Sequence, residues 1–399
     1  MADCLFLSHR IPYPPDKGDK IRSYRLFRHV AQRFRVHLGT FIDDPADQVH
    51  GETVRAMAGG DCRILELDPR LARWRGLTGL LTGQPLTLPY LYRTELARWV
   101  RGILAREEVQ LVVVYSSGMA PYVLGPIRQR RVMDFVDADS QKWAQYARRQ
   151  RGPLAWIYRR EATRLLAFEQ EVVRQFDAAL FVSRAEADLF CSLAPELAGR
   201  VDHYDNGVDA AYFSPLLDYP DPYPPGGPVV VFTGAMDYWP NVEAVTWFAA
   251  AVLPRIRAVR PGVRLAVVGS RPAPAVTALV RDPGILVTGR VPDVRPYLAH
   301  AALAVAPMRL GQGIQNKVLE AMAMAKPVLA TGKAMEGVRL CPGLERWVAD
   351  DPVALAKRGL ALLDDPGDAG TLGRRCVIDR YDWATNLARV DRHLAGALA

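Results

Sequence analysis

The sequence predicts an α/β protein built of two Rossmann-like, doubly wound domains that face each other across a cleft. Three observations lead there. Short β-branched runs alternate with longer helical patterns, the same alternation starts again past mid-chain, and 399 residues, half of them hydrophobic, exceed one ordinary core. Alternation of this kind marks a parallel sheet wrapped by helices.

In the first half, Cys4 to Ser8, Val36 to Ile42, Val109 to Tyr115 and Ala178 to Val182 read as strands, with a helix from Ile21 to Phe34. The stretch Pro222-Tyr223-Pro224-Pro225-Gly226-Gly227-Pro228 continues neither a helix nor a central strand, and is the best linker candidate. Beyond it, Val229 to Thr233, Val263 to Val268, Ile285 to Thr288, Ala302 to Ala306 and Val328 to Ala330 read as a second set of strands. The expected domains are therefore 1–215 and 226–379, with a last helix within 380–399 returning to the first. Ligands of such sheets lie beyond the carboxyl ends of the strands, so the loops there carry most weight.

Composition excludes several classes. Glycine and proline are dispersed, with no fixed-period repeat or low-complexity tract. The cysteines Cys4, Cys62, Cys191, Cys341 and Cys376 are odd in number, far apart and without CxxC spacing, which fits a reducing cytosol. The start of the chain lacks the basic region and long apolar core of a signal peptide, and no run approaches the roughly 20 apolar residues of a membrane span. A net charge of +8 invites an anionic partner. The basic residues are spread through both halves without a nucleic-acid-binding motif, so nucleic acid is not expected.

The densest constellation runs from Ala306 to Ala323, a strand, a glycine-containing loop and a helix start. Gly311 and Gly313 let backbone approach a ligand, and the helix N-terminus offers amide groups to a diphosphate. Arg309 and Lys317 add charge, Asn316 sits at the helix start, and Glu320 is placed to accept hydrogen bonds from sugar hydroxyls. The bland alternative is an ordinary strand-to-helix connection in which Lys317 and Glu320 form a weak surface pair.

From Gly311 to Val328 the residues resemble retaining glycosyltransferases of family 4, in which a glycine-rich loop and a Lys-x-x-Glu-Ala-Met-Ala helix grip the nucleotide sugar. Three further stretches support the likeness: Asp205 to Asp209 with Phe213, Phe181 to Glu186, and Phe232 to Asn241, the last resembling the opening loop of the donor domain. Tyr13 to Arg22 and Asp134 to Trp143 are similar to sugar transferases of exosortase and exopolysaccharide systems. The resemblance implies the glycosyltransferase B-type fold and an enzyme that needs no metal or other cofactor. It further implies a UDP- or GDP-linked donor and a saccharide or polyprenyl-diphosphate-linked acceptor. By the same likeness Gly18 and Gly234 approach the diphosphate, and Gly289 and Val291 line the base and ribose pocket. Each of these glycines has an alternative role as a turn residue.

Two departures stand out. Gln312 replaces a glutamate common at that position, so it hydrogen-bonds a sugar without offsetting positive charge. The loop after Gly234 lacks the usual Arg and Lys, which shifts diphosphate binding toward Lys317, Arg309 and backbone amides. Lys20 and Arg22 read either as phosphate or acceptor contacts or as solvated charges on a first helical turn.

Asp134, Asp137 and Asp139 have a spacing that suits a metal. The preferred role is instead a catalytic or acceptor-orienting one for Asp137, with helix capping by Asp139 or Ser140 as the alternative. Between Arg70 and Arg106, Trp74, Leu77, Leu80, Leu81, Tyr90, Tyr92 and Trp99 mix with arginines. That mixture suits either an anionic membrane face or core packing. The reading is a cytoplasmic hexosyltransferase, with a peripheral place at the inner face of the plasma membrane as one alternative, and with Asp137, Lys317 and Arg309 as catalytic candidates. A sugar-nucleotide epimerase of the same fold and an inactive nucleotide-sugar scaffold are the rivals; a Rossmann oxidoreductase lacks its GxGxxG.

Overall fold

The computed structural model of the chain describes residues 2–15, 18–310 and 314–395. The chain divides into two compact units, Met1–Asp205 with Asn386–Ala399, and Asn206–Thr385. Among the described residues the first unit holds β1 (Asp3–Ser8), β2 (Arg35–Ile42), β3 (Gly59–Glu66), β4 (Val109–Tyr115), β5 (Arg130–Val136), β6 (Ala178–Phe181) and β7 (Val201–His203). These pair in parallel in the order β3-β2-β1-β4-β5-β6-β7. The second unit holds β8 (Val229–Thr233), β9 (Arg264–Val268), β10 (Ile285–Gly289), β11 (Leu303–Ala306) and β12 (Val328–Ala330), parallel in the order β10-β9-β8-β11-β12.

The central strands are apolar along their length because helices cover both faces of each sheet. In β8 the pleat sends Val230 and Phe232 to one face, against Val267, Leu303 and Leu319. It sends Val229 and Val231 to the other, against Leu298, Ala301 and Met324. Strand order reverses between β1 and β4 and between β8 and β11, and a doubly wound sheet takes its ligand at such a point.

Three strands lie outside the apolar runs: β3 at one edge, β7 at the other, and β5, which places Asp134 within the sheet rather than after a strand. The Pro222–Pro228 stretch belongs to the second unit, where the Tyr223 hydroxyl donates to the Tyr297 carbonyl at 2.7 Å. The final helix, Trp383–Leu394, meets the first unit through Asp391, which pairs with His29 at 2.6 Å and Arg33 at 2.9 Å. Spacing along the chain hid one pairing: Cys341 and Cys376, 35 residues apart, form a disulfide with their Cα atoms 5.7 Å apart. Among the described residues no helix is long and apolar enough to cross a membrane, and no group of three or more His, Cys, Asp or Glu side chains is placed to hold a metal ion.

Candidate functional site

The second unit gathers its distinctive residues at the carboxyl ends of β8, β9 and β11. After β8 the chain turns at Gly234 with φ 150°, and after β9 at Gly269 with φ 159°. These two turns touch, since a Cβ on Gly269 would lie 1.6 Å from the Gly234 carbonyl oxygen. A Cβ on Gly234 would in turn come within 2.8 Å of Asn241 Nδ2 and 3.4 Å of Lys317 Cε. Glycine is thus required where the β8 loop meets two functional side chains.

Lys317 lies in the first turn of the Asn316–Ala323 helix. Its Nζ donates to Asn241 Oδ1 at 2.5 Å, sits 4.7 Å from the Phe232 ring centroid and approaches Met308 Sδ at 3.7 Å. Asn241 is itself oriented by donating to the Ala235 carbonyl at 2.9 Å. With apolar neighbours on two sides, burial disfavours the ammonium and lowers the Lys317 pKa to about 7, against a smaller opposing pull from Glu320. Burial likewise raises Glu320 to about 7, opposed by Lys317. A lysine and a glutamate both poised near neutrality, one turn apart, await a charged or hydroxyl-rich partner. The surface-pair alternative fails, because Lys317 bonds Asn241.

The remaining donor-side candidates fall as follows. Asn316 Oδ1 accepts from Asn206 Nδ2 at 3.1 Å, and Gln315, the N-cap, makes no side-chain capping bond. An anion at this helix end would therefore meet first-turn amide groups. Gly289 closes β10 with φ 70°, and Val291 packs against the second-unit core. Arg309 donates from Nε to Glu243 Oε1 at 2.9 Å, with its guanidinium 4.8 Å from the Trp247 ring. It lines a cavity of about 520 Å³ with Met308, Gly332, Lys333, Glu336 and Asp350. Met308 joins that cavity to the Lys317 side chain. Gly311, Gln312 and Gly313 lie outside the described residues.

In the first unit, Gly18 opens the Gly18–Ala31 helix and is exposed. Lys20 and Arg22 correct both sequence readings, since neither contacts solvent. Lys20 pairs with Asp47 at 2.7 Å, the side chains 0% and 5% exposed. Arg22 lies 3.6 Å over the Tyr204 ring and donates to Asp134 Oδ2 at 3.0 Å, the Tyr204 carbonyl at 3.0 Å and the Phe181 carbonyl at 3.2 Å. Burial disfavours the Arg22 charge, but Asp134 more than offsets this and holds it above its ordinary value.

The Asp134/Asp137/Asp139 run is not one cluster. Asp134 is buried under Arg22 and Tyr204, whose hydroxyl donates to it at 2.5 Å. Asp137 and Asp139 share Lys142, at 2.9 and 3.0 Å. Asp137 follows Val136, whose φ of 69° is a strained value for a β-branched residue. Ala138 rather than Asp139 or Ser140 is the cap of the Asp139–Arg149 helix. Ser140 instead bonds the buried Glu169, which burial pushes up to about 8.

Sequence reasoning singled out neither Asn241, the acceptor for Lys317, nor the Phe232 ring beside it. Both lie in the Phe232–Asn241 stretch, where the Asn directly after Trp239-Pro240 was the available signal.

With this geometry in place, residues 227–365 match the family described as Glycosyl transferases group 1. That span includes Gly234, Asn241, Gly289, Lys317 and Glu320. HepE of Anabaena, solved with UDP and glucose, is 14% identical with a TM-score of 0.65, and the similarity covers 99% of this chain and 100% of that one. WaaG, a glycosyltransferase involved in lipopolysaccharide biosynthesis, is 14% identical with a TM-score of 0.65, covering 97% and 98%. A mutant of S. aureus TarM, solved with fondaparinux, α-GlcNAc-glycerol and UDP, is 8% identical with a TM-score of 0.64, covering 98% and 99%. No curated protein matches the chain. These structures share the B-type fold with this chain, and the second unit carries the group 1 sequence pattern.

Proposed function

We propose that the chain transfers a hexose, with retention of anomeric configuration, from a UDP- or GDP-sugar to a saccharide or polyprenyl-diphosphate-linked acceptor in cell-surface glycan assembly. One observation carries this reading: Lys317, held by Asn241 against Phe232 and Gly234, stands one turn from Glu320 at a strand-order reversal. A diphosphate arriving at Lys317 restores the charge that burial disfavours, and that charge then stabilises the diphosphate as it leaves. Glu320 accepts from ribose hydroxyls, and the Gly234 turn leaves room for phosphate oxygens. Asn316 and the first-turn amides add donors, as Gly289 and Val291 do for the nucleoside.

Arg309 is proposed as a second cation for the leaving group, once drawn from Glu243. In the first unit, the exposed Gly18 at its helix start is proposed to approach the diphosphate, and Asp137 to meet the acceptor hydroxyl. The UDP complexes of HepE and TarM support a nucleotide donor, and the likeness of the first half to exopolysaccharide transferases supports the acceptor class.

The test is a turnover assay with UDP- and GDP-sugars, with and without saccharide and lipid-linked acceptors. Sugar release that an acceptor accelerates is the expected result. Interconversion of donor sugars without an acceptor would show an epimerase, and tight binding without turnover a scaffold; either would overturn the proposal.

A further inference from the structure

The Pro69–Thr82 helix has its burial reversed. The stripe facing the protein is Ala72, Gly76 and Gly79. There the glycines lie against backbone: a Cβ on Gly79 would stand 3.0 Å from the Gln84 oxygen, and one on Gly76 3.2 Å from the Leu86 oxygen. The large apolar side chains face solvent, with Leu71 56%, Trp74 73%, Leu77 45% and Leu81 90% exposed. An ordinary surface helix does the opposite, turning its apolar stripe to the core.

The glycine-bearing side of this helix meets a second helix. Arg160, on the Pro153–Gln175 helix, donates to the Gly79 carbonyl at 2.7 Å. Glu161 beside it accepts from the Leu86 amide at 2.8 Å. Trp156 lies one turn before Arg160 on the same side of that helix and is 58% exposed. Single exposed apolar residues need no explanation, but a helix exposing a tryptophan and three leucines, joined to a second helix that exposes another tryptophan, does.

The charge along these two segments is mostly positive, with Asp68 capping the first helix. From Pro69 to Thr94 the sequence carries Arg70, Arg73, Arg75 and Arg93 and no acid; from Trp143 to Arg160 it carries five arginines and no acid. Arg70, Arg73 and Arg75 are exposed on the helix itself.

We propose that this face docks on an anionic lipid bilayer, with Trp74, Leu77, Leu81 and Trp156 entering the headgroup boundary and the arginines meeting lipid phosphates. Exposed large apolar groups on a helix that carries Arg70, Arg73 and Arg75, against the single capping acid Asp68 at its start, match such a surface in both polarity and charge. A protein partner would need acids to meet the same arginines. Docking here involves none of the donor-binding residues, so it stands or falls apart from the proposed reaction.

The test is co-sedimentation of the full chain with phosphatidylcholine vesicles containing about 30% phosphatidylglycerol, against pure phosphatidylcholine. Tryptophan emission and oligomeric state are followed in parallel. The wild type is expected to pellet with the anionic vesicles with blue-shifted emission, and to be released at about 0.5 M salt. The Trp74→Ser/Leu81→Ser variant should lose about tenfold or more in partitioning, with an unchanged melting temperature because both side chains are exposed. Arg70→Glu/Arg73→Glu should lose the preference for anionic lipid. Absence of wild-type binding, equal binding to both vesicles, or an unaffected variant would each overturn the proposal. So would a wild-type dimer that the serine variant makes monomeric, since the patch would then be covered by a second copy.

Discussion

Replacing Lys317 with Met separates its two opposing roles. In the unfolded chain the side chain titrates near its ordinary value of 10.5, and in the folded chain near 7. Between those values the unfolded state holds the extra proton, so the Lys317 contribution makes stability rise with pH across that window. Glu320, raised from 4.5 to about 7, has the opposite sign. The folded state holds its extra proton between 4.5 and 7, so that contribution to stability falls as pH rises there. Together the two groups place a local minimum of stability near neutrality.

Donor binding reverses the lysine's position. A diphosphate beside Nζ raises its pKa, so at pH values above about 7 binding must take up a proton. Donor affinity then falls by up to about tenfold per pH unit until the bound-state pKa is reached. Lys317→Met should lower turnover by about 10²–10³, the range for losing one preorganised group that stabilises developing negative charge. The variant should also lose both the proton uptake and the rise in melting temperature above neutral pH. Titration calorimetry with UDP at pH 8 to 9, in buffers of differing ionisation enthalpy, reads the uptake directly, and melting curves from pH 6 to 10 read the stability. Turnover within threefold of wild type, or proton uptake undiminished in the variant, would refute the assignment.

Glu320→Gln keeps shape but removes charge, and should raise the KM for the nucleotide sugar about tenfold with a smaller change in kcat, measured by initial rates over donor concentration. Gly234→Ala puts a Cβ 2.8 Å from Asn241 Nδ2 at a positive φ; it should cost about 1–3 kcal/mol in denaturant unfolding and weaken donor binding by titration. Arg22→Met leaves Asp134 buried beneath Tyr204 without its cation, and should destabilise the first unit by about 3–5 kcal/mol by urea denaturation. A double Arg22→Met/Asp134→Leu variant should recover much of that loss.

What the sequence disclosed and what it hid divide along one physical line. Runs such as Val109–Tyr115 and Val229–Thr233 were legible because a central parallel strand is apolar on both faces. β3, spelled Gly-Gly-Asp-Cys-Arg-Ile-Leu-Glu at the sheet edge, has no such run. The Lys317 and Glu320 pair was legible because its spacing lies within one helical turn. Arg22 was not, since its partner Asp134 is 112 residues away and reaches it only through the order of strands. The acidic run from Asp134 to Asp139 shows why proximity in sequence misled. Asp134 lies within a strand under Arg22, while the chain leaves that strand at Val136, and Asp137 and Asp139 turn to Lys142. Three carboxylates that looked like one site thus perform two tasks. The first of them fastens the helix that Gly18 opens to the carbonyl ends of β6 and of the segment after β7, through Arg22. A loop whose glycine is proposed to approach a ligand needs a fixed base, and the buried ion pair supplies it without itself touching the ligand.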